Sequence, residues 1–288
     1  MNAPSFPVTV FEMNFRVKQT VEFAPWKAGN FFRGKLGITA RRLCCPRSCT
    51  DAASCTDAST CHYARLFEPR PTNAGPSGFA NLPRPFVVRA EALNGRTFHT
   101  GDHFSLTLHL FGAWETAALI EKSFGAIEQL ELLGVSTSSV DIPLTPAPCR
   151  LIEIEFLTPM EVKWKDAIVR RPEFPALMSR LRDRIASLST FYGNGALSWD
   201  HKQIAACAEL IRMTHCDVCQ VDAGRRSSRT GQTHGLGGFV GQASYEGDLD
   251  QFLPMLHVAE WIGIGRHTSW GNGAIRVSIP RLPQSAQT

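Results

Sequence analysis

Cys44, Cys45, Cys49, Cys55 and Cys61 fall in a stretch from 44 to 61 that holds almost no large apolar side chain. Such a stretch cannot order itself by burial, so it is either a loop or an excursion organised by a ligand. Cys45, Cys49, Cys55 and Cys61 are separated by three, five and five residues, with Cys44 as a spare. That spacing is irregular for paired CxxC ribbons, but four thiolates in one loop suit a tetrahedral zinc or, second, an iron–sulfur cluster. A structural metal is the expectation, and unliganded thiols are the alternative. Nine cysteines, an odd number in a chain of 288 residues, argue against a disulfide framework. Cys216 and Cys219 also form a CxxC, but in a strand their side chains point to opposite faces, so they are not counted as a metal pair.

The second stretch able to do chemistry is GIGRHTSWGNGAIRV. Gly263, Gly265, Gly271 and Gly273 permit positive φ and close backbone approach, so that successive amides can face a phosphate, while Arg266 and Arg276 supply charge. The Gly-Lys-Ser or Gly-Lys-Thr ending of a nucleotide loop is missing, which excludes a Walker-type loop and leaves a phosphate cradle of another kind, with a tight turn between strands as the alternative.

These stretches must be held by the elements around them. VTVFEMNFRV alternates as a half-buried strand, and Ala28 to Leu43 has helical spacing through Phe31, Phe32, Leu36 and Ile38. PRPFVVRAEAL and DHFSLTLHLFG resume strand character. Apolar residues every three or four positions predict a helix from Trp114 to Leu133, and the Ser-, Thr- and Pro-rich run from Ser136 to Pro148 reads as a connection. After it come a strand at 150–157, a helix at 174–191 whose polar face carries Arg180, Arg182 and Arg184, a helix at 199–210, and further strands. Both halves thus have the strand and helix order of an α+β fold: two ferredoxin-like (RRM-like, βαββαβ) domains in tandem, over 1–140 and 149–288, the first with a cysteine-rich insertion at 44–61.

The composition, 43% hydrophobic and 19% charged, can fill a core. No run of about 18 apolar residues or export leader is visible, so a cytoplasmic protein is expected, with no membrane partner. The net charge of +4 is modest, but the basic residues concentrate between Arg16 and Arg70 and at Arg225, Arg226 and Arg229.

The block RRSSRTGQTHGLGGFVGQASYEGDLDQFLPMLHVAEWIGIGRHTSWGNGAIRV resembles the terminal region of the RAMP-superfamily endoribonucleases, which cut CRISPR repeat transcripts into guide RNAs. FFRGKLG, CHYARLFEP and PRPFVVRA extend the resemblance over most of the chain. It implies binding of CRISPR repeat RNA, as a hairpin or single strand, in a basic cleft between the halves. Cleavage without a metal or nucleotide cofactor is implied, by the 2′-hydroxyl beside the scissile phosphate, leaving a 2′,3′-cyclic phosphate. That reaction needs a base, an acid and cationic donors. Relatives carry a histidine near the first helix, but Ala28 to Leu43 contains none. Of the nine histidines, His267 ranks first because it lies in the glycine-rich loop where an RNA phosphate can approach, with Lys35 placed to stabilise charge and Tyr63 to donate a proton. RNA contacts are expected from Arg33, Arg41, Arg225, Arg226, Arg229, Gly263, Gly265, Arg266, Trp270, Gly271 and Gly273. Other CRISPR effector subunits are further expected partners. The rivals are a non-catalytic guide-RNA subunit and, from another class, a metal-stabilised DNA-binding regulator, which lacks the expected helix-turn-helix or finger spacing.

Overall fold

The computed structural model describes residues 4–46, 49–70, 82–112, 116–226 and 233–280, with side chains left aside at 225, 226, 233 and 234. The first half runs β1 (Ser5–Val17), β2 (Val21–Glu22), α1 (Ala28–Cys44), α2 (His62–Phe67), β3 (Phe86–Arg89), β4 (Thr97–Phe98), β5 (His103–Leu110), α3 (Ala117–Gly125) and β6 (Leu130–Pro143). Its main sheet is antiparallel, in the order β3-β5-β1-β6. The second half runs β7 (Leu151–Met160), β8 (Lys163–Trp164), β9 (Ala167–Ile168), α4 (Phe174–Tyr192), α5 (His201–Glu209), β10 (Arg212–Val221), β11 (Gly224–Arg226), β12 (Thr233–Gly235), β13 (Gly238–Glu246), α6 (Leu253–Ile262) and β14 (Ile275–Ser278). Its antiparallel sheet has the order β10-β13-β7-β14, so the two sheets repeat one topology in an α+β architecture.

Alternation in β1 explains how the halves join. Phe11, Met13, Phe15 and Val17 face one side of the sheet and pack with Phe32, Leu36 and Ala40 of α1 and with Ile120 and Phe124 of α3. Phe6 and Val8 point to the other side and belong to the core of the second half, with Phe111, Ile142 and Leu144. The first sheet is therefore covered on one face by its own helices and, at one end of the other face, by the second half. His109 shows the same switch. Leu106, Leu108 and Leu110 face the first core, whereas His109 lies against Trp261 of α6 with ring centroids 5.0 Å apart.

Two expectations from the sequence are corrected. The apolar period from Trp114 to Leu133 does not make one helix: α3 ends at Gly125 and Leu130 already begins β6. The run from Ser136, expected to be a connection, is strand as far as Pro143, pairing with β1 from Glu12↔Ser136 to Ser5↔Pro143. An edge strand with a wet face is held by backbone pairing more than by its side chains, so its Ser- and Thr-rich composition concealed it. Among the described residues no helix is long and apolar enough to cross a membrane.

Candidate functional site

The glycine-rich loop follows α6 and is tied to the end of β7. Ile264 N–H donates to Gly273 O at 2.9 Å, Gly273 N–H to Pro159 O at 3.1 Å, and Arg266 N–H to Glu161 O at 2.9 Å. Gly273 sits at φ 71, and a Cβ there would run into the Ile264 carbonyl, so glycine is required. Within this frame His267 adopts φ 62 and ψ 21, a left-handed conformation uncommon outside glycine. Its ring stacks on Trp270 with centroids 4.7 Å apart and planes 22° from parallel.

Helix α1 meets this loop along one face, because Gly29, Arg33 and Gly37 recur at four-residue spacing. A Cβ at Gly29 would stand 2.5 Å from the Trp270 carbonyl oxygen, and one at Gly37 would stand 3.0 Å from the Phe67 ring. The Arg33 guanidinium between them lies 5.0 Å from the Trp270 ring centroid and 5.4 Å from that of Phe67, within cation–π range of both.

Beside the loop opens a cleft of about 1080 Å³, bounded by Phe67 to Arg70 after α2, by Leu82 to Arg84, by Arg184 of α4, and by Gly265 to Trp270. Among the described residues, Arg70, Arg84, Arg184 and Arg266 line it against one carboxylate, that of Glu68. Arg84 donates to Phe67 O at 2.9 Å, and Arg266 pairs with Glu161. Arg184 donates from Nε to Ile262 O at 3.0 Å, while its Nη2 is buried with no hydrogen-bond partner among the described residues. Burial lowers the Arg184 guanidinium to about 10, which leaves it charged at neutral pH. A cleft so lined, with an unneutralised guanidinium, favours a phosphodiester anion over a neutral ligand.

The residues expected from the sequence divide by position. His267, Gly265, Arg266 and Trp270 line the cleft, Arg33 supports Trp270 from behind, and Gly263, Gly271 and Gly273 shape the loop. Lys35 lies 5.5 Å from the Phe31 ring centroid and, two residues from Arg33, on the opposite side of α1. Tyr63 stacks on Phe67 at 5.3 Å and donates to Glu68 Oε1 at 3.3 Å, so it backs the cleft through both of these lining residues. Arg41 donates to the carbonyls of Cys49 and Thr50, both at 2.9 Å, and so serves the cysteine loop. Arg225 and Arg226 lie on β11, opposite His234 and Thr233 of β12; Lys27 donates to Gly224 O, linking that hairpin to the start of α1. Arg229 lies outside the described residues.

Arg184, Arg84, Arg70 and Glu68 are cleft residues that the sequence reading missed. The solvated face expected for Arg180, Arg182 and Arg184 is corrected: Arg180 and Arg182 pair with Asp183, but Arg184 turns into the protein. It stands three residues after Leu181 and four before Leu188, both buried, and that period was the available signal. His109 is structural: Nδ1 donates to Trp261 O at 3.0 Å, Nε2 accepts from Thr107 Oγ1 at 3.1 Å, and burial pushes the imidazole down to about 4.

In the cysteine loop, Cys45 follows the last turn of α1 and Cys61 precedes the first turn of α2. The Cys45 thiol neighbours those of Cys61 and Cys49, and the Cys49 thiol neighbours that of Cys55. Burial and these neighbours push Cys45 up to about 12. Among the described residues no group of three or more metal-ligating side chains is already arranged around an ion position.

Comparison with known proteins follows this geometry. Residues 6–175 match a family described as an N-terminal domain, and residues 154–275 match the family of the CRISPR-associated endoribonuclease Cas6. No curated protein matches the chain. Among solved structures, a Cas6 product complex superposes with a TM-score of 0.60 at 14% identity, covering 96% of this chain and 100% of that one. The Cas6 of Thermus thermophilus superposes at 0.52 and 15% identity, with coverage of 96% and 100%. A chain of a partial Cas6-RT-Cas1–Cas2 complex superposes at 0.59 and 13% identity, over 97% of this chain and 47% of that one. At these identities the superpositions speak to the fold, which is the mixed α+β, antiparallel fold of Cas6. Residues 154–275 thus carry the Cas6 endoribonuclease match and the superpositions extend the Cas6 fold over the rest, which makes this a Cas6-like protein.

Proposed function

We propose that this protein binds CRISPR repeat RNA along the arginine-lined cleft and cuts the precursor transcript beside the glycine-rich loop. The 2′-oxygen attacks the adjacent phosphorus, forming the 2′-oxygen–phosphorus bond as the bond to the 5′-oxygen breaks. The products are a 2′,3′-cyclic phosphate and a 5′-hydroxyl; the nucleophile's proton is lost to a base and a proton is given to the leaving oxygen. His267 is the proton-transfer group, since its left-handed backbone and the Trp270 stack hold the imidazole at the cleft lining. Arg184, Arg84 and Arg266 offset the charge that builds on the phosphate. No step in this chemistry calls for a metal.

The observation that carries the reading is the meeting of His267 with four arginines in one cleft of a Cas6-like protein. We read each sheet, with its order of second, third, first and fourth strand, as a ferredoxin-like unit. The relatives solved with product and with Cas1–Cas2 support repeat RNA and other CRISPR proteins as partners here. An endoribonuclease family favours neither a non-catalytic subunit nor a DNA-binding regulator.

Incubating the purified protein with its repeat RNA in chelator tests the mechanism. Cleavage with a cyclic-phosphate end is expected, abolished by a 2′-deoxy sugar at the cut site. His267→Ala is expected to slow cleavage about 10²-fold or more with RNA binding retained. Cleavage of the deoxy substrate, or full activity without His267, overturns the assignment.

A further inference from the structure

Strands β3, β6, β10 and β14 end the two main sheets, and the first and last two are protected against pairing with another chain differently from β6. An edge strand presents a row of backbone N–H and C=O groups, which proteins blunt with short length, charges, bulges or covering side chains. β3 and β14 have four residues each. The glycine-rich loop lies against β3, where a Cβ at Gly271 would stand 3.1 Å from Val88 O, and Glu260 accepts from Val277 N–H of β14 at 2.9 Å. β10 carries Arg212, His215 and Asp217, and its register shifts between Met213 and His215. Near its end Gln220 Nε2 donates to Arg170 O at 2.8 Å.

The middle of β6 has none of these devices. β6 runs for fourteen residues and pairs with β1 along one side. Its irregularity falls at Leu133, opposite the step from Asn14 to Phe15, and from Gly134 onward the pairing is regular. Gly134 to Val140 reads GVSTSSV, without a charge or a proline, and Ser136 to Ser139 are exposed. Val135 packs at the rim of the first core and Val140 at that of the second, so a strand laid along β6 would cover both.

A second β6 fits this edge. In an antiparallel pair about a two-fold axis perpendicular to the sheet, residues that stand opposite must share a face, so the axis passes through a residue rather than between two. Thr137 is the middle of the uncharged run. About it, Thr137 meets its own copy, Ser136 meets Ser138, Val135 meets Ser139 and Gly134 meets Val140. Cross-strand Thr and Ser pairs are favourable, and no like charges come face to face within the run. The same operation on β10 would be interrupted by its register shift.

We infer that two copies of this chain associate through β6, antiparallel about Thr137, joining two four-stranded sheets into one of eight strands. The contact is isologous and closes on itself, so it gives a dimer rather than a fibre. Among the described residues β6 supplies nothing to the cleft lining, so each copy keeps its own cleft.

The test uses the full chain without RNA. Sedimentation and light scattering are expected to give the mass of two chains at micromolar concentration. Thr137→Lys sets two ammonium groups against each other across the axis and is expected to raise the dissociation constant about tenfold or more, with the melting curve of the monomer and the rate of RNA cleavage unchanged. Thr137→Cys is expected to form a disulfide-linked dimer on mild oxidation beyond the level of the parent, because directly opposed strand residues lie within disulfide reach. Thr214→Cys, exposed on β10, is expected to stay at the parent level. A single-chain mass at every concentration, a dimer that Thr137→Lys leaves intact, or equal cross-linking at positions 137 and 214 each overturns the assignment. Mass and cross-linking are read without RNA, so their failure is distinguishable from failure of the cleavage mechanism.

Discussion

Arg184 and His109 show how one type of observation, a basic side chain taken out of water, separates a binding residue from a packing residue. Arg184 keeps a buried Nη2 at a cleft with no hydrogen-bond partner among the described residues, a donor open to an anion. Arg184→Met is expected to weaken repeat-RNA binding about tenfold or more and to reduce the salt slope by about one, with little loss of thermal stability. Binding titrations at several salt concentrations, beside a melting curve, check both halves of that statement. His109 has both ring nitrogens satisfied inside the protein. Its imidazole titrates at about 4 in the folded state against 6.5 when unfolded. Above about 6.5 both states are neutral and the contribution is complete; between 6.5 and 4 the unfolded chain binds a proton that the folded chain refuses. Stability is therefore expected to fall as pH drops through that window, by up to about 3 kcal/mol, and His109→Gln to flatten the dependence in urea titrations.

Among the elements, α1 does the most to position the site. Phe32, Leu36 and Ala40 anchor it in the first core, and Gly29 on another face lets the Trp270 backbone come close. Gly29→Ala replaces no hydrogen bond and favours the helix intrinsically, yet its Cβ meets the Trp270 carbonyl. Overpacking outweighs propensity here. A loss of about 1–3 kcal/mol is expected, with cleavage slowed because α1 and the His267 loop separate. Gly34→Ala, with nothing within 4 Å of its would-be Cβ, is expected to be neutral or stabilising in the same assays.

Across the whole molecule the two sheets are bound by side chains of one half inserted in the core of the other. Phe6, Val8, Phe111, Ile142 and Leu144 pack with Ile152, Phe156 and Leu256, and Arg184 of the second half lines a cleft completed by Phe67 and Arg84 of the first. Phe111→Ala is expected to cost about 3–5 kcal/mol and to lower the stability of both halves together. Hydrogen exchange of amides in β5 and in β13 checks this: equal acceleration marks a shared unfolding unit, and acceleration confined to one sheet refutes it.

How much of this was legible beforehand depends on the range of the interaction. The first strand, α1, α4, α5 and β10 follow from local periodicity, and Asp200 capping α5 by accepting from Lys202 N–H and Gln203 N–H is a local signal as well. The glycine-rich loop and His267 stood out because backbone conformations closed to other residues leave a mark on composition. The four loop cysteines stood out because their stretch cannot fold by burial. Neither Ser136 to Pro143 as a strand nor Arg184 as a cleft residue was read from these patterns. A polar edge strand is defined by its partner β1, and the cleft is assembled by elements far apart in the chain. Residue type and period act over one or two turns, whereas burial of a charge is decided by what another element places over it.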